Sequence, residues 1–111
     1  MESTRLVADV ASEGQASDIV VLDIGEACDF ADYFVILTAG SARQMRAVAE
    51  EIDQSMKKAT VGLLHREGTP QSGWMLLDFG DVIVHLFAPE QRDFYRLEDV
   101  WSHAREVVRI L

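Results

Sequence analysis

Residues 74–87 read WMLLDFGDVIVHLF, two six-residue apolar runs on either side of Gly80-Asp81. A Gly-Asp pair between strand patterns predicts a two-residue hairpin, with the glycine supplying the positive φ of a type II′ turn. Closing that turn pairs Phe79 with Val82, Leu77 with Val84 and Met75 with Leu86 on one face, because side chains alternate along a strand. That face is wholly apolar and reads as core. The other face pairs Asp78 with Ile83, Leu76 with His85 and Trp74 with Phe87. Large apolar groups among a carboxylate and an imidazole suit a surface that is covered only part of the time, which is the pattern of an interface.

The rest of the chain must supply a sheet for this hairpin and helices to cover it. At 111 residues one domain, 1–111, is expected, large enough to bury roughly two-thirds of its unfolded surface. Residues 19–24 (IVVLDI) and 33–38 (YFVILT) are β-branched and almost continuously apolar, as central strands covered on both faces are. Leu6, Val7, Val10 and Ala11 keep helical spacing, with Gly14 placed to end that helix. Met45, Val48, Ala49, Ile52, Met56 and Ala59 form the apolar stripe of a longer helix. Ser41 with Gln44 predicts a capping box at its start, and Lys57 and Lys58 suit the negative end of its dipole. A short strand is expected at 65–67, a turn region at 68–73, helical turns at 90–95 and 97–101, and a weakly amphipathic tail at 105–111. The order α-β-β-α-β-β-β-α predicts a mixed five-stranded α/β sheet flanked by helices.

Charge and cysteine content narrow the function. Ten basic against nineteen acidic residues give −9, which repels phosphate backbones and favours a basic partner over DNA or RNA. No apolar run reaches the roughly 18 residues of a membrane span. The first seventeen residues, with Glu2, Arg5, Asp9 and Glu13, hold no apolar signal region. Cys28 is the single cysteine. A cytoplasmic protein is expected.

No catalytic or metal-binding constellation emerges. Cys28, His65, His85 and His103 are scattered singly, without the spacing that puts two ligands on one element. Cys28 lies in an acidic stretch, which raises a thiol pKa rather than activating it. Gly40-Ser41 opening a helix is how nucleotidyltransferases begin their site, but two-metal chemistry also needs carboxylates clustered on a following strand, and no Asp-x-Asp occurs. A scaffold of that kind without a catalytic site, and without a cofactor, is the expectation. A catalytic nucleotidyltransferase-like enzyme and a homodimeric adaptor are its rivals. In the segment after the hairpin, Phe94 and Tyr95 are adjacent and point about a hundred degrees apart on a helix, so one of them must lie near the rim.

Four segments, DIVVLDI (18–24), ADYFVILTAGSARQMRAVAEEI (31–52), HREG (65–68) and WMLLDFGDVIVHLF-x-PEQRDFYRLEDVW (74–101), together resemble the ribosomal silencing factor (RsfS, or Iojap) family. The resemblance spans about Asp18 to Trp101. It implies a nucleotidyltransferase-like α/β fold without activity, and binding to large-subunit ribosomal protein fourteen. Occupying that site would block subunit association and repress translation when nutrients are scarce. Ala88 departs from the histidine that many relatives carry there, and the tail beyond Trp101 carries no resemblance. The partner-binding residues expected from this reading are Trp74, Leu76, Asp78, His85, Phe87, Arg92 and Tyr95.

Overall fold

The computed structural model describes residues 2–25, 29–100 and 105–110; Cys28, Trp101 and His103 lie outside them, so the expectations placed on those three residues do too. In chain order the elements are α1 (Glu2–Glu13), β1 (Ser17–Asp23), β2 (Tyr33–Thr38), α2 (Ala42–Lys58), β3 (His65–Thr69), a 3-10 turn (Pro70–Ser72), β4 (Trp74–Asp78), β5 (Val82–Phe87), α3 (Pro89–Tyr95), α4 (Leu97–Val100) and β6 (Arg105–Ile110). The strands form one sheet in the order β3-β4-β5-β2-β1-β6. Among the described strands only β2 and β5 run parallel; the other neighbours are antiparallel.

The mixed α/β sheet agrees with the expectation, with six strands in place of five. The added strand is the tail, which pairs with β1 from Asp23–Arg105 to Ile19–Ile110. Its alternation is broken by a register shift opposite Val21 and Leu22, which hides the period of two that marks a strand.

The hairpin closes as its turn residues require. Gly80 has φ +95°, and Phe79 N–H donates to the Val82 carbonyl at 2.9 Å. All five expected ladder pairs from Trp74–Phe87 to Asp78–Ile83 occur. Met75, Leu77, Phe79, Val82, Val84 and Leu86 are buried in the larger core, under Val7, Ala8 and Ala11 of α1 and the stripe Met45, Val48, Ala49, Ile52 and Met56 of α2. On the opposite face a smaller cluster gathers Val20, Leu22, Ile24, Ala31, Phe34, Ile36, Ile83 and Phe87.

Two helix ends depart from expectation. The left-handed residue after α1 is Gln15, at φ +64°, not Gly14. Gly14 serves close packing instead: a Cβ there would stand 2.9 Å from Val48 Cγ2. At the start of α2, Ser41 Oγ accepts from Gln44 N–H at 3.0 Å, the first half of a capping box. The second half is redirected. Gln44 Oε1 accepts from Gly40 N–H at 2.6 Å, and Gln44 Nε2 donates to the Gly14 and Gln15 carbonyls. The glutamine thereby ties the end of α1 to the start of α2, a contact that no local rule predicts. Among the described residues, no helix is long and apolar enough to cross a membrane.

Candidate functional site

The face of the hairpin turned away from α1 and α2 is built around Trp74. Its indole lies against Tyr95 of α3 and Phe87 of β5, with ring centroids 4.6 and 5.0 Å away. Its Nε1–H donates to His85 Nδ1 at 3.2 Å. Because Nδ1 accepts, the neutral imidazole carries its proton on Nε2. His85 also meets Phe34 edge to face at 4.8 Å.

The residues expected at the partner surface divide into two groups. Trp74 and Leu76 are half-buried, and Tyr95 is 43 % exposed, so these three reach the surface. Phe87 and His85 are buried and support Trp74 from beneath, since the tail of the hairpin face lies under α3 and the Phe34 ring. Asp78 is half-buried, and its carboxylate accepts from Gly80 N–H at 2.8 Å, so it serves the turn. Arg92, expected at the partner surface, is only 6 % exposed. Its Nη1 donates to Thr38 Oγ1 at 2.9 Å, and its Nη2 lies 3.3 Å from Asp18 Oδ2. It fastens α3 to β2 and β1.

Between β3, β4 and α3 lies a groove of about 380 Å³ whose lining includes Glu67, Ser72, Trp74, Leu76, Gln91 and Tyr95. Glu67 and Gln91 were absent from the expected set. Glu67 was legible in principle, because continuing the ladder across the 68–73 turn puts it opposite Leu76. Phe94, 79 % exposed, is the rim aromatic of the adjacent pair and packs edge-on against Tyr95 at 5.0 Å.

Ser41 is engaged as the N-cap of α2, and the Gly40 N–H before it donates to Gln44 Oε1. Among the described residues, no three potential metal ligands cluster.

His85 makes the face acid-sensitive. Desolvation by burial lowers its pKa to about 4, whereas the unfolded chain titrates near 6.5. The unfolded state therefore takes up its proton first as pH falls. The stability that neutral His85 contributes is complete above pH ~6.5 and is lost progressively down to about pH 4, amounting to about 3 kcal/mol. Protonation also removes the Nδ1 acceptor from Trp74. Denaturant unfolding from pH 7 to 4 should show a steeper loss in the native chain than in His85→Leu. Parallel curves would show that folding leaves the titration of His85 unshifted.

The family profile described as "ribosomal silencing factor during starvation" matches residues 1–110. The ribosomal silencing factor RsfS of Zymomonas mobilis is 40 % identical over 102 residues, which cover 92 % of this chain and 77 % of that protein. The chloroplastic protein Iojap of Arabidopsis thaliana is 39 % identical over 91 % of this chain and 42 % of its own length. A crystal structure of a Chromobacterium violaceum protein superposes with a TM-score of 0.87 at 28 % identity, covering 99 % of this chain and 91 % of that one. Relatives in Bacillus subtilis and Halalkalibacterium halodurans, 34 % and 31 % identical, also carry the name ribosomal silencing factor RsfS. With its profile match, its relatives and its fold in agreement, the chain belongs to the ribosomal silencing factor family.

Proposed function

We propose that the chain silences translation from the cytoplasm by docking on the large ribosomal subunit through ribosomal protein fourteen, where it sterically blocks association with the small subunit when nutrients are limiting. The observation that carries this reading is the half-covered aromatic face. Trp74, Leu76 and Tyr95 stand at the surface on a floor of buried Phe87 and His85, with exposed Phe94 beside them. Aromatic anchors over a packed floor are what interface hot spots are made of. The net charge of −9 complements a basic ribosomal protein and steers encounter. Asp78, His85, Phe87 and Arg92 act in this reading only by holding the surface residues in place.

The test is co-sedimentation with purified large subunits, small subunits and both. The chain should pellet with large subunits alone and reduce the fraction of joined ribosomes as it approaches saturation. Equal binding to both subunits, or unchanged joining at saturation, would sink the proposal. A homodimeric adaptor that uses the hairpin face for self-association is the competing reading; it predicts self-association that Trp74→Ala abolishes and no preference for either subunit.

A further inference from the structure

We propose that the docking groove continues past Gln91 into a second groove, and that the two together receive an extended, positively charged segment of the protein on which Trp74 docks. This inference rests on the docking reading above and extends its footprint to the start of α2 and α3. The second groove arises from the topology. β2 and β5 are the parallel pair, and the helices that follow them leave for opposite faces of the sheet. α2 covers the larger core, whereas α3 sets Tyr95 against Trp74. A crevice opens at the carboxyl ends of strands that part in this way, and it is where open α/β sheets take their ligands. Here it measures about 420 Å³, with Ala42, Gln71, Gly73, Ala88, Glu90 and Gln91 in its lining.

Gln91 lines both this crevice and the Trp74 groove, so the two meet at one side chain. Its carboxamide lies over Gly73, where a Cβ would stand 2.5 Å from Oε1; only a glycine leaves it room. The Ala88 N–H donates to the Gly73 carbonyl at 2.8 Å, which ties the 3-10 turn to the head of α3 as the two banks of one track. From that turn Ser72 lines the Trp74 groove, and Pro70 and Gln71 line the crevice. The Gln91 carboxamide makes no hydrogen bond to another described residue, so a donor and an acceptor are open midway along the track. An extended segment supplies their partners, because its backbone N–H and C=O groups are unpaired until it docks.

The charge of the track selects its occupant. Glu67 lines one groove and Glu90 the other, and neither lining includes a lysine, arginine or histidine among the described residues. Glu90 has no ion pair with another described residue, and Glu67 meets His65 in an exposed pair. Such a track repels rRNA phosphates and attracts basic side chains, whose apolar stems can lie along Trp74 and Pro89.

Binding of the intact chain to purified large subunits, measured over a range of salt concentrations, tests the proposal. Glu90→Lys should weaken binding about tenfold or more, since it sets a cation against the basic segment. Glu90→Gln, which keeps the shape, should weaken it less and flatten its dependence on salt. Ala42→Trp fills the crevice from the start of α2 and should also cost about tenfold in binding, although Ala42 does not line the Trp74 groove. Ala42 and Glu90 are exposed, so the fold should be kept, which circular dichroism checks. Trp74→Ala combined with Glu90→Lys should multiply the two single losses, as separate contacts with one partner do. Binding that is lost in Trp74→Ala but kept at full strength in both Glu90→Lys and Ala42→Trp would overturn the track and leave the docking face in place. Tighter binding by Glu90→Lys would also overturn it, and would show that the crevice faces RNA. A native chain that does not bind large subunits would overturn both readings.

Discussion

Trp74→Ala is expected to weaken binding to large ribosomal subunits by about 2 kcal/mol or more, roughly thirtyfold, the scale on which a central aromatic anchor operates. The residue is half-buried, and its indole touches Tyr95 and Phe87 and bonds His85. Truncation removes the surface that a partner would cover and exposes the floor beneath. The paired control is Leu77→Ala, one residue along from Leu76 and on the other face. Leu77 is 0 % exposed in the layer between the sheet and α2, where a Leu→Ala cavity costs about 3–5 kcal/mol. Leu77→Ala should therefore unfold at markedly lower denaturant, while the molecules that remain folded bind normally. Trp74→Ala should lose less stability and far more binding. If Trp74→Ala destabilises as much as Leu77→Ala and its folded fraction binds like the native chain, Trp74 is a core residue and the docking face is misplaced.

Arg92→Ala should separate a structural role from a contact role in the same way. A surface arginine seldom contributes more than about 1 kcal/mol to stability. Arg92 is almost wholly buried, and it joins α3 to Thr38 on β2 and Asp18 on β1. Removing it empties that space and leaves the Thr38 hydroxyl without this donor, at an expected cost of about 3 kcal/mol. Asp18 also pairs with Arg109, which keeps the loss below that of a fully orphaned charge. Tyr95→Ala, three residues on and half-exposed, should show the converse: little loss of stability and a clear loss of subunit binding. An Arg92→Ala chain as stable as the native one, with impaired binding, would return Arg92 to the partner surface.

These predictions turn on a distinction that local pattern could not make. The hairpin, its register and the identity of its two faces were legible from Trp74 to Phe87, because a glycine turn and a side-chain period of two leave one register. The α2 stripe and its Ser41 cap were legible for the same reason, being set within one or two turns of chain. The redirection of Gln44 to Gly14 and Gln15 was not, since it depends on where α1 ends in space.

The sequence by itself determined which residues share a face: Trp74, Leu76, Asp78, His85 and Phe87 on one side of the hairpin, Met75, Leu77 and Phe79 on the other. Only the tertiary structure decided which of the first group meet solvent. α3 folds back so that Tyr95 and Trp74 cover Phe87, while Phe34 from β2 closes over His85. Arg92 turns inward because Asp18 and Thr38, far away in sequence, stand ready to receive its charge. The tail becomes β6 because β1 offers it an open edge. Each of these outcomes is set by long-range packing and pairing, and one-dimensional periodicity carries no record of either.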